Sequence, residues 1–221
     1  YDTLGKAGII NIGATTNNNS NVDVNGDLPT TCPSEYLIGV TMTNSDDVLG
    51  GSGYGPIHVD LAAPGKNVYL TSPGDIYANT SGTSFATPCV AGSIALLYST
   101  PCPEFINFTK YYPDSAAMRV RELILDEVDP ITSLTTQVGT GGRLNINNSM
   151  MALNTSCDAG ACLSPYNFYY SNLTDSVVDI YWEGFSSDFL FYIKEGSQSM
   201  VEIPINSSNQ ISFDTLTPCT N

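Results

Sequence analysis

Apolar residues along this chain follow one rhythm up to Asn154 and another beyond it. In the first stretch, short apolar runs at Gly8–Ile12, Tyr36–Met42, Val59–Ala62 and Asn67–Leu70 have the length and composition of buried strands. Two longer segments have helical spacing. From about Thr83 to Ser99, the residues Val90, Ala91, Ile94, Ala95, Leu96 and Leu97 make more than half the helical surface apolar. From Asp114 to about Asp126, Met118, Leu123 and Leu125 form one stripe, and Asp114 or Ser115 is available as its cap. A long polar loop is predicted over Thr15–Thr31. Residues 1–154 therefore predict an α/β domain with a parallel sheet flanked by helices. In residues 155–221, short alternating segments at Val177–Trp182, Phe189–Lys194, Val201–Ile205 and Gln210–Phe213, separated by turn residues, predict a small all-β sandwich.

Charge narrows the partners. The 221 residues carry 22 Asp and Glu against 7 Lys and Arg, a formal net charge of −15. Such a surface cannot neutralise a row of phosphates, nor dock on an anionic membrane, so nucleic acid and lipid headgroups are excluded as expected partners. No apolar run reaches the roughly 18 residues of a membrane-spanning helix, so no membrane insertion is expected. With 42% hydrophobic residues the chain has the material for a core despite its charge. The even count of 6 Cys points to disulfides and an oxidising, extracellular setting, and the pattern does not choose among the pairings. The absence of a CxxC motif and the single His58 argue against a zinc site. Both ends read as cut from a longer protein: the chain opens on Tyr1 with neither a Met nor a basic region leading into an apolar signal segment, and Thr217–Asn221 reads as a connection between strands.

The stretch with chemistry in it is Ser81-Gly-Thr-Ser84-Phe-Ala-Thr-Pro88-Cys-Val-Ala-Gly92. It reads as a loop feeding a helix whose first turn holds Ser84 and Pro88, where a missing N–H costs no hydrogen bond. A serine at that place has its hydroxyl at the positive helix end and its own N–H free for an anion. An ordinary capped core helix is the alternative on these grounds alone. Gly82-Thr-Ser84-Phe-Ala86-Thr-Pro88-x-Val-Ala91-Gly92 resembles the nucleophile motif of subtilisin-like serine peptidases. Upstream, Val59-Asp60-Leu-Ala-Ala-Pro-Gly65 and Ser52-Gly-Tyr54-Gly are similar to that family's strand-and-turn segments, in the same order. The resemblance covers about residues 1–153, the C-terminal half of such a catalytic domain.

The resemblance implies that Ser84 is the nucleophile and that its N–H forms half of an oxyanion hole. It implies Asn17 as the other half, after a strand over Gly8–Gly13, with Asn18 and Asn19 as alternatives. It places Ala14 and Thr16 along the pocket for the substrate side chain, narrowed by Thr16 where the family has Gly. The family's catalytic Asp and His motifs do not occur in this chain, and His58 falls at a structural position. The expected function is thus a fragment of a secreted serine endopeptidase that acts on protein or peptide substrates, inactive by itself. The alternative is a non-catalytic extracellular binding protein with a degenerate peptidase fold.

The remaining features add smaller expectations. Cys89 is expected to be buried, with Cys102 or Cys32 as conceivable partners. Asn21-Val-Asp23-Val-Asn25-Gly26-Asp27 has oxygen ligands at alternate places before a glycine, as a calcium loop begins, yet Cys32 stands where the bidentate Glu belongs. Ca²⁺ and a solvated acidic turn are both compatible with it, and no cofactor is required. The 155–221 segment resembles part of a fibronectin type III domain, with Trp182 as its core tryptophan. Oligomeric state is not legible.

Overall fold

In the computed structural model, residues 1–158, 166–171, 178–183, 188–193, 201–206 and 210–213 are described, and the chain divides into two compact units, Tyr1–Asn154 and Thr155–Asn221. The first unit begins with α1 (Asp2–Gly5), β1 (Asn11–Ala14), α2 (Val22–Asn25), β2 (Leu37–Thr43) and β3 (Leu61–Pro64). It continues with β4 (Val68–Ser72), β5 (Ile76–Thr80), α3 (Thr83–Tyr98), α4 (Pro103–Tyr111) and α5 (Pro113–Asp126). It closes with β6 (Asp129–Pro130), β7 (Gly142–Arg143) and α6 (Ile146–Asp158), which runs past the division.

A five-stranded sheet in the order β1-β2-β3-β7-β6 carries this unit, parallel except for the edge pair β6–β7. Every residue of β2 is buried, which is why it is mostly apolar on both faces; its Thr41 hydroxyl is satisfied by Ser52 and the Gly53 carbonyl. Gly39 in β2 is a packing necessity: a Cβ there would stand 2.3 Å from the His58 carbonyl oxygen. α3 lies against β1, β2 and β3, with Thr83, Ala86, Val90, Ser93, Ile94 and Leu97 buried. α5 buries Ala116, Ala117, Val120, Leu123 and Ile124, and α4 adds Phe105 and Phe108.

Several expectations shift. β1 begins at Asn11 rather than Gly8, because Gly8 turns the chain out of α1 at φ 88° while the Ile9 N–H reaches back to the Leu4 carbonyl. β3 runs Leu61–Pro64 rather than Val59–Ala62. β4 belongs to an unforeseen antiparallel hairpin with β5, turned through Gly74 and Asp75 at positive φ. α4 was hidden because its cap is a cysteine sulfur: Cys102 Sγ accepts from the Phe105 N–H, ahead of Pro103 in the first turn. α6 is capped by Asn145, which accepts from the Asn148 N–H at 3.1 Å. Pro88 is not in the first turn of α3. It is the sixth helical residue, so the Ser84 carbonyl has no N–H four residues on to accept from.

Cys102 and Cys157 are each disulfide-bonded, whereas Cys89 is an exposed free thiol and Cys32 is free and half-buried. The expected burial of Cys89 and its conceivable pairing with Cys102 or Cys32 are therefore wrong: its thiol stays exposed on α3, 3.3 Å from the Phe85 carbonyl and 3.9 Å from the Pro64 carbonyl at the end of β3. No single helix among the described residues is long and apolar enough to cross a membrane.

In the second unit, β8 (Tyr166–Ser171), β9 (Val178–Glu183) and β12 (Gln210–Phe213) form an antiparallel sheet ordered β12-β9-β8, and β10 (Asp188–Ile193) pairs antiparallel with β11 (Val201–Asn206). The turn residues expected from the sequence at 186–188, 195–197 and 206–209 lie wholly or in part outside the described residues, as do Cys162, Cys219 and the Trp182 side chain.

The sheet edge is locked by charge. Arg143 pairs with both Asp47 and Asp129, and Asn145 donates to Asp129 at 2.7 Å. The Asn145 hydrogen bond, then that of Arg143, holds the Asp129 carboxyl below the usual carboxylate range. A depressed carboxylate stabilises the fold fully above its unfolded pKa of about 4, and that contribution is lost as pH falls through the lower folded value. Asp129→Asn is therefore expected to lower stability at neutral pH and to flatten the acid limb of a urea-unfolding series between about pH 4 and 2. An unchanged acid limb would contradict the assignment.

Candidate active site at the start of α3

The carboxyl ends of β1 and β3 meet the first turn of α3, the place where open α/β sheets present their sites. Gly65, just past β3, accepts a hydrogen bond from the Gly82 N–H at 2.9 Å. A Cβ at Gly65 would come 2.8 Å from the Gly82 carbonyl oxygen and 3.0 Å from the Ala86 Cβ. The glycine after Ala62-Ala-Pro64 is what lets the helix start sit this close.

From β1, the chain passes through Ala14, Thr15 and Thr16 to Asn17. The Thr83 N–H donates to Asn17 Oδ1 at 2.8 Å. The Thr83 hydroxyl is placed to donate to the Thr15 carbonyl at 2.5 Å or to Asn17 Oδ1 at 3.2 Å. One of the orphan first-turn N–H groups is thereby satisfied by the loop after β1. Ser84 is exposed at the second helical position. Among the described residues, neither its N–H nor its hydroxyl has a hydrogen-bond partner. The amino group of Asn17 likewise has no acceptor there. Of the three successive asparagines, Asn17 is the one whose side chain is tied to the helix start; Asn18 contributes only its carbonyl, to the Ser20 N–H.

The arrangement brings Ser84, Asn17, Thr15 and Thr83 together, with Ala14 and Thr16 half-buried beside them. Chemically it offers two N–H donors of different origin next to an exposed hydroxyl. Thr83 is the member that sequence reasoning passed over, because it reads as a spacer between Gly82 and Ser84. His58 is not brought to Ser84. Its Nδ1 lies 2.8 Å from Asp23 Oδ1, and Asp23 also accepts from the N–H groups of Ile57 and His58 at 3.0 Å each. In the candidate calcium loop, both acidic side chains thus face protein donors: Asp23 these three, and Asp27 the Thr16 N–H at 2.8 Å. Among the described residues, no group of three or more His, Cys, Asp or Glu is placed to share a metal ion.

The sequence pattern of the Subtilase family matches residues 2–147. The chain belongs to the subtilase family. It is similar to Subtilisin-like protease 1 of Plasmodium vivax, 33% identical over 113 residues, which are 51% of this chain and 15% of that protein. It is also similar to Thermitase of Thermoactinomyces vulgaris, 47% identical over 70 residues, 30% of this chain and 25% of that one. Among solved structures, a chain of the subtilase cytotoxin SubAB shares the fold, with a TM-score of 0.57 and 24% identity over 70% of this chain and 52% of its own. The subtilase α/β fold is thus present, and the chain spans a minor part of these curated relatives and about half of that solved chain.

One departure from the family's usual loop has a cost. Where subtilases commonly carry small residues, Thr15 is buried and its hydroxyl has no hydrogen-bond partner among the described residues. A buried unsatisfied hydroxyl destabilises by about 1–3 kcal/mol. Thr15→Val, which keeps the shape and leaves the backbone carbonyl for Thr83, is expected to raise stability by about 1 kcal/mol in denaturant unfolding. A loss of stability would show that the hydroxyl is satisfied in solution.

Proposed function

We propose that this chain carries the nucleophile and oxyanion-binding side of a serine endopeptidase site, with Ser84 as nucleophile and Asn17 together with the Ser84 N–H as oxyanion donors. The observation that supports it most is the Thr83 N–H to Asn17 Oδ1 bond of 2.8 Å. It commits the carbonyl end of the Asn17 side chain to the residue beside Ser84 and leaves the amino end to donate. In the reaction, the Ser84 Oγ adds to the scissile carbonyl carbon as its proton passes to a base. The carbonyl oxygen becomes an oxyanion between the two donors, and collapse expels the amine and leaves an acyl-enzyme for water to cleave. Ala14 and Thr16 flank the pocket for the residue before the scissile bond.

A serine hydroxyl is a weak nucleophile without an adjacent base. None touches Ser84 among the described residues, and His58 is engaged by Asp23. In this reading the base and its carboxylate come from a part of the full-length protein outside these 221 residues. That part would also cover the outward side of α3, where Ala91, Gly92, Ala95 and Leu96 are exposed and Leu96 keeps 48% of its surface in solvent. The parent is a secreted endopeptidase of protein or peptide substrates, with 155–221 as a fibronectin type III-like appendage.

The test uses the full-length protein. Fluorophosphonate labelling and peptide hydrolysis are expected, both lost in Ser84→Ala, while residues 1–221 alone hydrolyse nothing. Asn17→Ala is expected to lower kcat by about 10²–10³, a size taken from measurements on subtilisin itself, and to leave labelling detectable. A full-length protein that neither labels nor hydrolyses would favour the extracellular binding protein instead.

A further inference from the structure

The proposed oxyanion donor needs a fixed origin as well as a fixed tip. Its tip is held by Thr83. Its origin is the peptide unit of Thr16, and both polar ends of that residue are clamped. The Thr16 carbonyl accepts from the Gly53 N–H at 2.8 Å. The Thr16 N–H donates to Asp27 Oδ2 at 2.8 Å, across eleven residues of loop. The Thr30 hydroxyl, 3.2 Å from the same oxygen, helps orient the carboxylate, and the Thr31 hydroxyl donates to the Asp27 carbonyl at 2.6 Å. Room for the clamp is made by Gly53, where a Cβ would come within 3.0 Å of Thr15 and Val22 and 3.1 Å of Thr16.

We propose that Asp27 is a positioning residue for catalysis: its carboxylate, through the Thr16 N–H, sets the direction from which the Asn17 side chain reaches the start of α3. This inference rests on the peptidase reading above. A charge-assisted acceptor on a backbone N–H is among the stronger single hydrogen bonds available to a loop. Without it the Thr16 N–H has no partner among the described residues, and the backbone of residue 16 itself is held by its carbonyl alone. A displacement of about 1 Å at a reacting geometry costs on the order of 10² in rate.

The experiment is a double-mutant cycle in the full-length protein, which separates positioning from general stability. Asp27→Ala is expected to lower kcat about 10²-fold with KM within about twofold. In an Asn17→Ala background the same change is expected to cost less than about twofold, since the donor it positions is gone. Asp27→Asn keeps an acceptor of the same shape and is expected to recover most of the rate, and it serves if the alanine variant does not fold. Equal losses in both backgrounds, or an unchanged kcat, would overturn the proposal. Crystal structures of the wild type and the Asp27 variants give a readout independent of turnover. Asn17 Oδ1 is expected to leave the Thr83 N–H in the alanine variant, and an unmoved Asn17 would overturn the role of Asp27. A wild type without Ser84-dependent hydrolysis counts against the peptidase reading, while the crystal structures still decide on Asp27.

Discussion

The start of α3 is held against the ends of two strands by three hydrogen bonds, and everything proposed for this chain depends on where they meet. The Gly82 N–H reaches Gly65 after β3, the Thr83 N–H reaches Asn17 after β1, and the Thr83 hydroxyl reaches the Thr15 carbonyl. Each contributes only about 0.5–1.5 kcal/mol net. The burial of Val90, Ile94 and Leu97 along the same helix is worth about 1.5–3 kcal/mol per side chain. Packing therefore decides that α3 lies on the sheet, and the smaller polar terms decide its register there. Register is what matters at Ser84, because a helix displaced by one residue would put Phe85 beside Asn17.

The same helix is apolar on two sides and covered on one. Its inner face carries the fold; its outer face carries the exposed Ser84, Pro88, Cys89, Ala91, Gly92, Ala95 and Leu96. That asymmetry matches the chemistry, in which donors for an anion and a nucleophile are assembled while no base touches the hydroxyl among the described residues. Half a site and half a covered helix have one explanation in the proposed function, a second structural part that brings the base and closes the face. The loops around the donors are built by acids that face inward. Asp23 grips the 57–58 turn and His58, and Asp27 grips Thr16, so part of the net charge of −15 organises the loop instead of decorating the surface.

Strands β1 to β4 and the main helix were legible because their signals are local: β2 is a mostly apolar run, and the Gly82–Gly92 motif announces a helix start with a serine in it. What escaped reading was non-local or chemically unusual. α4 starts behind a cysteine cap, and cysteine is not among the residues that mark helix starts. The β4–β5 hairpin turns on a Gly-Asp pair that resembles any surface loop. The exposure of Cys89 depends on which side of α3 the sheet takes, which its apolar-all-round sequence does not encode. Within the site, Ser84 and the Asn17–Asn19 run could be named from motifs. The choice of Asn17 as the side chain bonded to α3, the bridging by Thr83 and the hold of Asp27 on Thr16 are contacts across 66, 68 and 11 residues, which no local pattern carries.

The central claim is that a reacting carbonyl oxygen would rest between the Ser84 N–H and the Asn17 amide. A crystal structure of the full-length protein with a peptide boronate, which forms a tetrahedral adduct on an active serine, tests it most directly. The account predicts boron bonded to Ser84 Oγ and one boronate oxygen about 2.7–3.1 Å from both the Ser84 nitrogen and Asn17 Nδ2. An adduct whose oxygen is held by Asn18, Asn19 or another donor, with Asn17 turned away, would contradict it.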